Sequence, residues 1–192
     1  HPCDKKALSF SRHEPLGVCV GIVPWNAPLF LFSLKAPRFA TNRKVLAEAG
    51  ESIARFFASG VLELGDKLGP VNWQFMATKK FDPEDFEAFL KLLPKSVEGR
   101  AIRHVVEVRH PSFAVPDFVD LIRGHGVAAV VAGDADFPVI ADPTAPFVYA
   151  RIMGTRAEEA AGYAPSDLDA WAARARAWAD GGAAEGFAPL SG

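Results

Sequence analysis

Four stretches of the chain divide by residue parity into one wholly apolar set and one set that turns polar toward its C-terminal end. In Val105-Val106-Glu107-Val108-Arg109-His110, Val106 and Val108 share one parity, while Val105, Glu107 and Arg109 share the other. Alternate residues of a strand lie on opposite faces, so this pattern predicts a strand with an acid and a guanidinium on one side. Phe30, Phe32 and Leu34 oppose Ser33 and Lys35. Val71, Trp73 and Phe75 oppose Asn72 and Gln74. Val148, Ala150 and Ile152 oppose Tyr149 and Arg151. Charges on an inward face are costly unless they are paired or used, so the polar parity marks a site.

Helical spacing fills the intervals. Residues 42–59 carry Val45, Ile53, Phe56 and Phe57 at roughly helical spacing, with Thr41 or Asn42 as N-cap. Asp82-Pro83-Glu84 opens a second helix, with an N-cap acid and Pro at the first position. Its stripe is Phe86, Phe89, Leu90 and Leu93, and Pro94 ends it. Pro116 to Arg123 forms a short helix closed by Gly124 to Gly126. Ser166 to Asp180 forms the last, with Leu168, Trp171, Ala175 and Trp178 on one stripe.

Strand and helix in alternation define an α/β domain with parallel strands. The polar parity favours a (β/α) TIM-barrel-like fold over an open doubly wound sheet, because helices on both faces of an open sheet call for apolar residues on both. The barrel is incomplete. Six strands are recognisable, near 18–22, 30–35, 70–75, 104–109, 127–132 and 147–152, in 192 residues, where a full barrel takes about 250. The interval 23–29 is too short for a parallel crossover, so either the first two strands pair differently or a helix–strand–helix stretch is missing there. A single domain over 1–192 is expected, with 1–16 and 181–192 irregular or flexible.

Several ordered motifs resemble one family. These are Gly-x-x-x-Trp at Gly21–Trp25, Phe-Ser-Leu-Lys-Ala-Pro-Arg-Phe at 32–39, Leu-Gly-Pro-x-x-Trp-Gln-Phe at 68–75, Glu-Val-Arg-His at 107–110, Tyr-x-Arg at 149–151 and a closing Trp-x-x-Arg helix. Together they resemble the domain of unknown function 72, or YecE-like, family. The resemblance implies a TIM-barrel-like fold and no established activity. Three departures accompany it. The second-strand segment expected between Trp25 and Phe30 is missing, and so is the last strand. Arg151-Ile152-Met153-Gly154 stands where many members carry Arg-x-His-Gly. The two gaps suggest a truncated or internally deleted barrel, and a start at His1 suggests a trimmed chain.

Composition narrows the partners. Apolar residues make up 49% of the chain, with 15 Phe, which is ample for one core. A net charge of −2 gives no global attraction to nucleic acid or to an anionic membrane. No apolar run is long enough for a membrane span, and no leader peptide is visible. Cys3 and Cys19 have no metal or disulfide spacing, which fits a cytoplasmic protein.

The candidate chemistry lies at the C-terminal strand ends. Glu107 and His110 are the candidates for proton transfer. The competing reading makes Glu107 and Arg109 an inward ion pair that plugs the barrel, and His110 a cap before Pro111. Lys35, Arg109 and Arg151 outnumber Glu107 and Asp134, which favours a small phosphate- or carboxylate-bearing ligand. Gln74 and Tyr149 would add neutral hydrogen bonds, and Arg38 a further cation. Residues 35–44 hold four cations and no acid, so a nucleic-acid-binding or -processing barrel is the alternative, and a non-catalytic fragment another. At the start of the 42–59 helix, Arg43 and Lys44 would oppose the helix dipole, which a bound anion, or instead solvent and Glu48 four residues from Lys44, would relieve. No cofactor is predicted. Asp134 and Asp136 with Glu107 and His110 could hold Mg²⁺ or Mn²⁺, although Gly133-Asp134-Ala135-Asp136 is also an ordinary turn. The remaining histidines, among them His104 and His125, read as structural or exposed. Oligomeric state is not legible.

Overall fold

The computed structural model describes residues 19–21, 32–133 and 136–191. Phe30, Trp25, Cys3 and Asp134, all named above, lie outside them, as does His13, another histidine read as structural or exposed. The strands are β1 (Cys19–Gly21), β2 (Phe32–Lys35), β3 (Leu68–Gln74), β4 (Ser96–Val97), β5 (Arg100–Ala101), β6 (His104–Glu107), β7 (Ala128–Val131) and β8 (Tyr149–Arg151). The α-helices are α1 (Arg38–Thr41), α2 (Gly50–Phe57), α3 (Pro83–Leu92), α4 (Pro116–His125) and α5 (Pro165–Ala179).

Six strands form one sheet in the order β1-β8-β7-β6-β3-β2. Neighbours from β2 through β8 run parallel, as alternation with helices requires. β1 departs from the expected all-parallel order: it pairs antiparallel with β8, Val20 opposite Ala150. The short interval after it is therefore no parallel crossover. A small hairpin, β4 with β5, was not expected. Its two-residue turn, Glu98-Gly99, has positive φ at both positions (50° and 76°), the geometry that suits a tight hairpin.

The sheet curls into a partial barrel. Tyr149 on β8 donates its hydroxyl hydrogen to Ser33 Oγ on β2 at 2.9 Å, across strands that are not neighbours in the sheet. Ser33 Oγ in turn donates to the Pro70 carbonyl at 2.9 Å. Such contact across the interior requires a concave inner face. Tyr149→Phe, which removes the Ser33 bond, is expected to cost about 0.5–1.5 kcal/mol in urea unfolding. An unchanged midpoint would show that the bond does not help to hold the curl.

The outer face follows the apolar parity. Val71, Trp73, Phe75, Val106 and Val108 all join the main core beneath α2, α3 and α4. Asp82 caps α3, its carboxylate accepting from Asp85 N at 3.2 Å, and Pro83 takes the first helical position. The helix then sets Phe86, Phe89 and Leu90 into the core. α4 runs to His125 and ends on Gly126 at φ 67°, a left-handed position suited to glycine. His104 is buried in this layer as a neutral ring. Its Nδ1 accepts from Trp73 Nε1 at 3.0 Å, its Nε2 lies 2.9 Å from the Pro94 carbonyl, and burial pushes its pKa down.

Two helical expectations need correction. The single helix over 42–59 is not formed: α1 ends at Thr41, ahead of that span, which instead holds a 3₁₀ turn at Leu46–Ala49 followed by α2. Pro37 precedes α1, and Asn42, expected as an N-cap, is a C-cap whose N–H bonds the Arg38 carbonyl at 2.8 Å. Arg43 and Lys44 lie ahead of the 3₁₀ turn rather than in the first turn of a helix, and the Leu46 N–H there is already met by the Asp85 carboxylate at 2.6 Å, so the anion proposed there loses its basis. Arg43 donates to the Phe39 carbonyl at 3.0 Å and to Ser52 Oγ at 3.1 Å. Val45 and Leu168, assigned to apolar stripes, are 45% and 38% exposed. α5 covers β8 chiefly through Trp171, while Trp178 stacks on Phe187 at 6.2 Å. Residues 181–191 hold no helix or strand, yet Leu190 N and Ser191 N are bound by the buried Asp142 carboxylate. Among the described residues no helix is long and apolar enough to cross a membrane.

Candidate functional site

Register brings the polar parity of four strands together on the inner face. Lys35 lies opposite Asn72, Asn72 opposite Val105, and Gln74 opposite Glu107. Glu107, 1% exposed, is the centre of the group. Its Oε1 accepts from Gln74 Nε2 at 2.7 Å and from Arg109 Nε and Nη2 at 3.1 and 2.7 Å. Its Oε2 accepts from Asn72 Nδ2 at 3.0 Å and from Arg151 Nη1. Five donors from four residues thus saturate one carboxylate.

That saturation decides its charge. Burial alone pushes the Glu107 carboxyl pKa up, but the hydrogen bonds from Asn72, Gln74 and Arg109 and the charge of Arg151 outweigh it. The group is held below the usual carboxylate range. A buried charge this well paired is a fixed element of the site. Arg109 is fixed from a second side, its Cζ 4.4 Å from the centroid of the Phe137 ring.

Lys35 is placed differently. Its side chain is exposed and makes no hydrogen bond or ion pair among the described residues. Burial of its base pulls the ammonium pKa below the ordinary lysine range. Glu107 opposes that shift, and Arg109, Arg38 and Arg151 reinforce it. Lys35, Arg109 and Arg151 thus face one described acid, Glu107, on this face.

The other predicted residues are less closely gathered. Tyr149 is buried on the same face but bonds Ser33 rather than Glu107. Arg38 is exposed on α1. His110 Nδ1 accepts from Ser112 N at 3.1 Å and lies 2.8 Å from Ser112 Oγ, capping the 3₁₀ turn Pro111–Phe113. In the neutral ring this leaves the proton on Nε2. Asp136 is exposed, and among the described residues no three His, Cys, Asp or Glu side chains form a metal-holding group. Asn72 was not among the predicted ligands, although it shares the parity of Gln74 two residues on. Phe137 was missed entirely, because a loop residue carries no periodic signal.

The fold and this inner face define a partial parallel α/β barrel with a charged cluster at the C-terminal strand ends. The chain belongs to a protein family of unknown function, DUF72, whose model matches residues 25–188. Two solved members are similar in fold. A DUF72 family protein from Thermotoga maritima is 22% identical with a TM-score of 0.55, covering 74% of this chain and 59% of that one. Another from Enterococcus faecalis is 18% identical with a TM-score of 0.54, covering 80% and 65%. A shorter likeness links the chain to curated aldehyde dehydrogenases. Retinaldehyde dehydrogenase 3 of Rattus norvegicus is 39% identical over 75 residues, and an aldehyde dehydrogenase of Aspergillus niger 37% over 73. These matches take in 37% and 36% of this chain, which spans only 15% of the length of either enzyme.

Proposed function

We propose that the protein binds a small anionic ligand, bearing phosphate or carboxylate, at the C-terminal end of the curled sheet. The observation that carries this reading is the charge balance around Glu107. Its single negative charge faces Arg109 and Arg151 at bonding distance, with Lys35, which makes no ion pair among the described residues, beside them. Guanidinium groups held in fixed orientation suit the planar, multidentate recognition of such anions. Glu107 serves as the counter-charge that fixes the arginines. It is ionised and accepts five hydrogen bonds, so it has no proton to donate. Proton transfer, where the ligand calls for it, falls to His110 Nε2 or to Lys35 rather than to Glu107.

Lys35 offers the cleanest test, because removing it leaves every bond to Glu107 in place. In calorimetric titration, Lys35→Ala is expected to weaken sulfate or phosphate binding about tenfold or more, the scale of a charged hydrogen bond. The melting temperature should stay close to that of the wild type. Sulfate keeps its charge over the relevant range, so its pH profile reports the protein. Affinity should fall as pH rises through the lowered pKa of Lys35, where the ammonium loses its charge. Wild-type affinity that is flat with pH and unaffected by Lys35→Ala would sink the reading.

Phe39 favours a second reading, nucleic-acid binding. It is 82% exposed on α1, next to the exposed Arg38. An exposed ring beside cations can stack a base while the cations hold phosphates. Affinity for a single-stranded oligonucleotide would then fall steeply with salt and drop on Phe39→Ala. Salt-independent binding, or none, rejects this second reading.

A further inference from the structure

Asn72 is 5% exposed, and its amide nitrogen is committed to Glu107 Oε2 at 3.0 Å. Its amide oxygen is buried and has no hydrogen-bond partner among the described residues. Reversing the amide would set oxygen against the Glu107 carboxylate, so the orientation is determined by the network. The orphaned oxygen belongs to the same amide whose nitrogen meets Glu107, and β2 presents Lys35 as the register partner of Asn72. Lys35 has a flexible side chain and makes no bond among the described residues, so it can yield to a ligand. Buried acceptors are rarely left unpaired, and one inside a charged cluster calls for a donor that arrives with the ligand.

Resting on the anion-binding reading above, we infer that the ligand is a hydroxylated anion whose hydroxyl donates to Asn72 Oδ1 while its phosphate or carboxylate meets Arg109, Arg151 and Lys35. An ammonium donor is disfavoured, because it would enter a cluster of three cations held by one carboxylate. A hydroxyl is neutral, and it both donates and accepts. It can bond Asn72 Oδ1 and receive a hydrogen bond from Lys35 Nζ at once. Asn72 is thus the residue that would tell a hydroxylated anion from its deoxy analogue.

The test compares matched pairs on the full chain by calorimetric titration: glycerol 3-phosphate against n-propyl phosphate, and lactate against propionate. The hydroxylated member of at least one pair should bind roughly ten- to a hundredfold more tightly, the factor set by leaving a buried polar atom unpaired. The pair that shows the preference identifies the anion as phosphate or carboxylate. Asn72→Ala should abolish that preference. Gln74→Ala also removes one donor from Glu107, but it should weaken both members alike and keep the preference. Equal loss of preference in both variants would reduce Asn72 to a support for Glu107 and overturn the inference. Equal wild-type binding within both pairs would also overturn it and leave the anion site standing. Binding of none of the four compounds would overturn the anion reading, and the inference with it. The wild-type comparison decides by itself if Asn72→Ala does not melt cooperatively.

Discussion

Glu107→Ala is expected to destabilise the protein by about 3–5 kcal/mol, the cost of leaving buried charges without their partner. Arg109 and Arg151 both lose an ion pair, and Asn72 and Gln74 lose their acceptor. Glu107→Gln should not rescue it. The glutamine keeps the shape but turns an NH₂ group toward donors where a carboxylate oxygen stood. Chemical denaturation of the three proteins measures this directly. The same residue sets an acid limit. Its pKa is depressed in the folded protein, so its contribution is fully present above the unfolded value of about 4.3 and is lost as pH falls through the folded value. Glu107→Ala should therefore lack this part of the acid destabilisation. A variant within 1 kcal/mol of the wild type, with an unchanged pH profile, would mean that the network contributes little to stability.

Phe86→Ala is expected to cost a comparable 3–5 kcal/mol, here through a cavity. The ring is 1% exposed and meets Phe75 at 5.1 Å, Phe113 at 5.4 Å and Phe118 at 5.4 Å between centroids. The ring contacts around it are aromatic, so the loss combines transfer and cavity terms. Phe86→Leu should recover part of it. Anion affinity should survive in the folded fraction, since this core lies on the other face of the sheet. A loss below 1 kcal/mol would show that the aromatic layer relaxes around the deletion.

Much of the inner face was legible because strand parity is a local property. Glu107, Arg109, Gln74, Lys35, Tyr149 and Arg151 could each be assigned to one face from their own strand. Which of them touch was not legible, because contact depends on register between strands. Asn72 shows this best. Its role comes from Glu107, 35 residues away on the next strand. Cap chemistry was legible where it was unambiguous, as at Asp82-Pro83. It failed at Thr41-Asn42, where residues typical of a helix start lie at the end of a helix that begins beyond Pro37. For β1 the short interval after it argued against a parallel crossover, but its partner β8 was hidden, because that pairing joins strands far apart in the chain. His110 was read two ways; its capping contact with Ser112 is present and engages Nδ1, which leaves the proton-transfer reading at Nε2 undecided by the fold.

The most direct test of the anion site is a crystal of the protein soaked in selenate and examined by anomalous scattering. A selenium peak within hydrogen-bond reach of Lys35, Arg109 and Arg151, lost in Lys35→Ala crystals, is the expected result. Selenate bound only at other surfaces, with the inner face empty at saturating concentration, would contradict the proposal that this cluster exists to hold an anion.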